Sequence, residues 1–177
     1  MIPKVLVCSP RTRPSIFHND PLQMRILMVC LGNICRSPLA EGIMKHKAAQ
    51  RGLMWTVDSA GTGFWHVGDP PDARSVITAR RHGIDITGQR GRQFQAGDFE
   101  QFDHIFVMDA QNHRDVLRLA GSDADRAKVS MIMAQRYPDQ APNVPDPYHD
   151  DDGFEEVFSM LDAACEAFIE AHQNRLT

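Results

Sequence analysis

Val29-Cys30-Leu31-Gly32-Asn33-Ile34-Cys35-Arg36-Ser37-Pro38 decides the architecture of this chain. The apolar run leading into it, Arg25 to Leu31, reads as a buried strand. Gly32 and Asn33 tolerate the positive φ of a tight turn. Ser37-Pro38 reads as the N-cap and first position of a helix running to about Gly52. Cys30 thus closes a strand, and Arg36 stands six residues on at a helix N-terminus.

That placement has a chemical consequence. Successive backbone N–H groups of such a turn point inward as an anion nest, and the helix dipole adds positive charge at the same spot. The nest spans Leu31, Gly32, Asn33, Ile34 and Cys35. Arg36 supplies a planar fork for two oxygens of a phosphate. The field that holds the phosphate also stabilises a Cys30 thiolate, placed for in-line attack on phosphorus. Ser37 is in reach to hydrogen-bond the sulfur and help it leave later. The same spacing fits a buried structural cysteine beside a capping serine, but the strand–turn–helix setting favours the chemical reading.

Working outward, 177 residues with 42% apolar content are enough for one domain with a substantial core. A net charge of −4 lacks the basic footprint of a nucleic-acid binder. Four cysteines, Cys8, Cys30, Cys35 and Cys165, make no dense disulfide framework, so a reducing cytoplasmic setting is expected. No apolar run approaches the ~18–20 residues of a membrane span, and Val5 to Cys8 is too short for a signal core. No membrane partner is expected, and a monomer is the default state.

Residues 1–23 carry Pro3, Pro10, Pro14 and Pro21 without periodicity and read as a poorly ordered extension before a domain over 24–177. From Arg25 strands and helices alternate. Strands are expected at about 25–31, 55–60, 104–108 and 129–133, and helices at about 37–51, 72–82, 98–102, 110–120 and 154–173. Repeated strand–helix units argue for a three-layer α/β fold, a parallel sheet with helices on both faces. In such sheets ligands bind beyond the carboxyl ends of the strands, where the Cys30 turn falls.

Other candidates lie further along. Asp146, between Pro145 and Pro147, is either a turn former or a carboxyl group able to protonate a leaving oxygen and later activate water. Trp65 and Tyr148 stand in loops, to wall a slot for an aromatic group or to cover a core edge. Cys35 is either a packed thiol or a disulfide partner that protects Cys30 from overoxidation. Cys165, on the apolar face of the last helix, reads as core. Asp109 either orients Arg36 or caps the next helix, and His82 either contacts the cradle or sits favourably at a helix end.

Together with Asp58-Ser59-Ala60-Gly61-Thr62, Arg81-His82-Gly83-Ile84, Val107-Met108-Asp109 and Asp146-Pro147-Tyr148, the opening stretch resembles the low-molecular-weight protein tyrosine phosphatases over residues 24–173. The resemblance implies a four-stranded parallel sheet of the phosphotyrosine phosphatase I type, hydrolysing phosphate monoesters without metal or cofactor. It makes Cys30 the nucleophile, Arg36 and the amides from Leu31 to Arg36 the phosphate site, and Asp146 the acid and then the base. It assigns Asn33 a network with Ser59 and His82. Ser37 assists the thiolate, Asp109 orients Arg36, Trp65 and Tyr148 line the entrance, and Cys35 is the redox partner. The implied partner is a phosphotyrosine protein. His149 stands where many members carry a second aromatic. Ile34, where phosphoarginine phosphatases of the family carry Thr, favours an aryl phosphate over that alternative.

Four further rivals are weaker. A thiol-coupled arsenate reductase needs relay cysteines, and residues 66–164 hold none. A non-catalytic phosphotyrosine-binding module has no need of Asp146, and a phosphocarrier has no need of Arg36 with Asp146. Zinc on Cys30 and Cys35 lacks a second ligand pair.

Overall fold

The computed structural model describes residues 23–150 and 152–174. The expected N-terminal extension, Cys8 and Asp151 lie outside them. The elements run β1 (Arg25–Cys30), α1 (Arg36–Gln50), β2 (Thr56–Gly61), α2 (Ala73–Arg81), α3 (Asp98–Gln101), β3 (His104–Val107), α4 (Ala110–Leu117), α5 (Asp123–Ala127), β4 (Val129–Met131) and α6 (Gly153–Gln173). The sheet has four strands in the order β2-β1-β3-β4. All three pairings are parallel, with Cys30 opposite Gly61 and Val29 opposite Val107.

Period-two alternation along β1 divides the core. Ile26, Met28 and Cys30 face a cluster with Leu39 and Ile43 of α1 and Leu161, Cys165 and Phe168 of α6. Leu27 and Val29 face Phe99, Val116 and Val129 on the other side. A strand buried on both faces is the near-continuous apolar run expected of a central parallel strand.

The chain leaves β1 for β2 on one flank and then crosses to β3 on the other. The switch point therefore lies between the C-terminal ends of β1 and β3. Cys30 ends the first, and Asp109 follows the second as N-cap of α4, its side chain accepting from the Asn112 N–H.

Three expectations are corrected in detail. The first helix begins at Arg36, its N-cap position is Cys35 without a side-chain cap, and Ser37 lies inside the helix. The fourth strand stops at Met131, and the buried Ile132 and Met133 belong to a 3₁₀ turn. The short α5 was not expected, because it buries no residue and offers no apolar stripe; only the Ser122 cap, accepting from the Asp125 N–H, marks it.

Candidate active site

Asn33 is the hinge of the turn after β1. It adopts φ 56°, one of two positive-φ non-glycine residues among those described. That conformation aims its backbone N–H at Cys30 Sγ, 3.2 Å away. Ser37 Oγ lies 3.0 Å from the same sulfur, so its hydroxyl serves the cysteine and not the helix cap. Both contacts fix the sulfur at the base of the turn.

The Asn33 side chain locks the turn to the sheet. Its Nδ2 donates to Ser37 Oγ and to Ser59 Oγ, each at 2.9 Å, and its Oδ1 accepts the Arg92 backbone N–H at 2.9 Å. Ser59 is buried and donates to Glu41 Oε2 at 2.6 Å. His82 stands apart from this network. Its ring stacks on Phe158 at 3.8 Å and its Nε2 meets Glu155 Oε2 at 2.9 Å. Glu41 holds the place the sequence reading gave to His82. The network with His82 is what the family resemblance implies, but in this chain the residue one helical turn after Ser37 is the one that faces Ser59. That four-residue spacing was the available signal.

Arg36 is 3% exposed and held from two sides. Nη1 donates to Asp109 Oδ2 at 2.7 Å and to the Val144 carbonyl at 3.2 Å. Nη2 donates to Asp146 Oδ2 at 2.7 Å. Its Nε is buried and finds no acceptor among the described residues. Asp146 sits on a loop that Val144 N–H ties to the Met108 carbonyl at 2.8 Å, just past β3. Its other oxygen, Oδ1, accepts the Tyr148 N–H at 3.2 Å.

These groups surround a cavity of about 210 Å³. Cys30, Leu31, Gly32, Ile34, Cys35 and Arg36 form its floor, and Trp65, His66, Asp146, Tyr148 and His149 its walls. Behind the floor, Asn33 and Ser37 contact Cys30, Asp109 contacts Arg36, and Ser59 meets the Asn33 side chain and Glu41. Trp65 and Tyr148 are exposed rims. Trp65 stacks on Phe64 at 5.3 Å, over Gly63, where a Cβ would fall 1.9 Å from the indole. Tyr148 meets His149 edge-to-face at 5.0 Å, with the Arg74 guanidinium 5.7 Å from the centre of the tyrosine ring. The composition of the sequence did not single out His66 or Arg74, since neither lies in a motif.

Cys35 packs with Ile34 and Phe154. Burial, reinforced by the charges of Asp72, Cys30 and Asp146, pushes its thiol up to about 12. Cys35 is therefore a neutral thiol beside Cys30. Cys165 is fully buried core. No group of three or more His, Cys, Asp or Glu side chains suited to a metal occurs among the described residues. No helix among them is long and apolar enough to cross a membrane.

A family model described as low molecular weight phosphotyrosine protein phosphatase matches residues 25–176. The Bacillus subtilis low molecular weight protein-tyrosine-phosphatase YfkJ is 38% identical over 84% of this chain and 95% of its own length. The crystal structure of YfkJ superposes with a TM-score of 0.81, covering 88% of this chain and 98% of that one. The human low molecular weight phosphotyrosine protein phosphatase is 37% identical over 82% of this chain and 93% of its own length. A Drosophila arginine phosphatase, at 34% identity and a TM-score of 0.78 over 84% of this chain and 98% of that one, has the same architecture. With its cradle, its sheet order and these relatives, the chain belongs to the low-molecular-weight phosphotyrosine protein phosphatase family.

Proposed function

We propose that this chain hydrolyses phosphotyrosine in protein substrates, and small aryl phosphates, through a cysteinyl-phosphate intermediate. The observation that carries this reading is the buried Arg36 Nε, without an acceptor among the described residues, beside a sulfur that accepts the Asn33 N–H and lies 3.0 Å from the Ser37 hydroxyl. One group is prepared for a phosphate oxygen and the other for negative charge.

The phosphate enters over Cys30. Its oxygens meet Arg36 Nε and the turn amides, and displace Asp146 from Nη2. Asp109 keeps the guanidinium plane in place from the far side, through Nη1. The Cys30 thiolate attacks phosphorus, the bond from phosphorus to the phenolic oxygen breaks, and Asp146 gives that oxygen a proton. The phenol leaves between Trp65 and Tyr148. Water then attacks the cysteinyl-phosphate, Asp146 takes its proton, and the phosphorus–sulfur bond breaks. The departing thiolate is received by the Ser37 hydroxyl and the Asn33 N–H. No step calls for a metal.

Ile34 presents an apolar side chain to the cavity. This supports an aryl group over a guanidinium as the leaving side. Cys35 opens on the same cavity as Cys30, which supports a protective disulfide under oxidant. The test is phosphate release from a phosphotyrosine peptide by wild type and Cys30→Ser, with a phosphoarginine peptide alongside. Release from the tyrosine peptide alone, lost in the variant, is expected. Release from the arginine peptide alone would transfer the reading to that substrate.

A further inference from the structure

We propose that Glu41 is a positioning residue for Cys30: by accepting the Ser59 hydroxyl hydrogen it holds the Asn33 side chain, and with it both hydrogen bonds to the sulfur. The proposal rests on Cys30 being the nucleophile.

Elimination settles the direction of each bond that Asn33 makes. The Arg92 backbone N–H can only donate, so the Asn33 atom 2.9 Å from it is the carbonyl oxygen. The two hydrogens of Nδ2 then point to Ser37 Oγ and Ser59 Oγ. Both hydroxyls accept there, and each must send its own hydrogen elsewhere. For Ser37 the near acceptor is Cys30 Sγ at 3.0 Å, closer than the Ala60 carbonyl at 3.4 Å. For Ser59 it is Glu41 Oε2 at 2.6 Å. One amide thus feeds two branches, one ending on the sulfur and the other on a carboxylate.

Glu41 is 3% exposed, a rare state for a carboxylate. Lys45, one turn further along α1, meets its other oxygen at 2.5 Å. Ser37, Glu41 and Lys45 are spaced by four and form one line on the helix. Behind Glu41 lies a second cavity of about 600 Å³, where Lys45, His46, Asp58, Asp85 and Arg90 face it. The charged and titratable groups facing Cys30 are a different set: Arg36, Cys35, Asp146, His66 and His149. Removing Glu41 leaves the Ser59 hydrogen without its acceptor. Ser59 can then turn that hydrogen toward Asn33, where it opposes the Nδ2 donor. The Asn33 side chain loses a fixed point, and its N–H and the Ser37 hydroxyl drift from the sulfur.

The experiment reads the sulfur directly. Alkylation of Cys30 by iodoacetamide is followed by peptide mass in wild type, Glu41→Ala and Glu41→Gln, with thermal melting of each. At about pH 6 alkylation of Glu41→Ala is expected about tenfold slower than wild type. At about pH 9, where a thiol ionises without help, the rates converge. Glu41→Gln retains an oxygen for Ser59 and is expected within about threefold of wild type at both pH values. A Glu41→Ala protein alkylated at the wild-type rate at about pH 6 overturns the proposal, as does a Gln variant as slow as Ala. If Glu41→Ala does not melt cooperatively, Ser59→Ala carries the same expectation and the same overturning result. Alkylation needs no substrate. A folded wild type with this Glu41 dependence but no phosphate release would therefore break the functional reading and leave the positioning role standing.

Discussion

The cradle and the acid loop, the two arms of this site, are held in opposite ways. In the cradle Cys30, Asn33, Arg36 and Ser37 are all nearly or fully buried, and each has partners from other elements. On the acid loop the Asp146 side chain is 43% exposed, and its strongest contact is Arg36 itself. The cradle is set by its own partners, whereas Asp146 is tied to it only through Arg36. In the proposed mechanism the phosphate takes the place of Asp146 on Nη2, so that its binding energy frees the acid and couples substrate capture to protonation of the leaving group.

The largest expected effect breaks the cradle. Cys30→Ser is expected to lower turnover at least about 10⁴-fold, because a hydroxyl in this nest has no base to activate it. Binding of inorganic phosphate, followed by calorimetry, stays within about threefold of wild type, since Arg36 and the amides remain. Residual turnover within a hundredfold of wild type would remove covalent catalysis from the account.

Asp146→Ala sharpens the contrast by separating chemistry from binding. Turnover of a phosphotyrosine peptide falls about 10²–10³-fold. The burst of p-nitrophenol from the activated ester falls less than about tenfold, since that leaving group needs little protonation. Phosphate affinity should rise about threefold, because Nη2 no longer has to be vacated. Equal losses on both substrates would remove Asp146 from the acid role. Unchanged phosphate affinity would show that the Arg36–Asp146 pair costs nothing to open.

Asp109→Ala tests a residue that serves the cradle with one oxygen and a helix cap with the other. It removes the Nη1 partner of Arg36 and the N-cap of α4. A loss of about 1 kcal/mol in denaturant unfolding is expected from the cap. A fall of about tenfold in kcat/KM is expected from the freed guanidinium. Asp109→Asn retains a capping oxygen, so it should recover the stability and not the rate; recovery of both would reduce Asp109 to a cap.

The same contrast explains what the sequence could tell. The cradle is contiguous from Cys30 to Ser37, so the strand, the turn and the residues the turn brings together could be read from ten letters. β1 was legible because a strand buried on both faces is a run of apolar residues. Asp146 lies 110 residues from Arg36 and was visible only as an aspartate between two prolines. Its pairing with Arg36 is a product of sheet topology, which sets the end of β3 beside the turn after β1, where the Val144 N–H ties the loop that follows β4 to the Met108 carbonyl. His82 was misplaced for a related reason. Its motif borders the right helix, but three-dimensional register gives Ser59 to Glu41 and turns His82 onto Phe158 and Glu155. The wall residue His66, and Arg74 of α2, which backs the Tyr148 ring, have no local chemical signature, and only the fold brings them to this place.

The smallest effect probes the seam between the cradle and α2. Asp72 caps α2 by accepting the Arg74 N–H at 2.8 Å, while its own N–H donates to the Ile34 carbonyl at 2.8 Å. The hydrogen bond from the Arg74 side chain, aided by the Arg74 N–H and working against burial, holds the Asp72 carboxyl below its ordinary range. A carboxyl lowered in the folded state contributes stability above its unfolded value, and that contribution is lost as pH falls through the folded value. Asp72→Ala should therefore cost about 1 kcal/mol at neutral pH, a deficit that narrows below about pH 4 as the wild-type carboxyl takes up its proton. The bond to Ile34 comes from the backbone and survives the substitution, so kcat on a phosphotyrosine peptide is expected to stay within about twofold. A large loss of rate would show that the cradle depends on the Asp72 side chain after all, and that its rigidity is shared with α2 instead of being set by Asn33 and its partners. A stability deficit that does not change with pH would assign the cost to lost packing, because a cap made by a carboxylate has to disappear when the carboxylate is protonated.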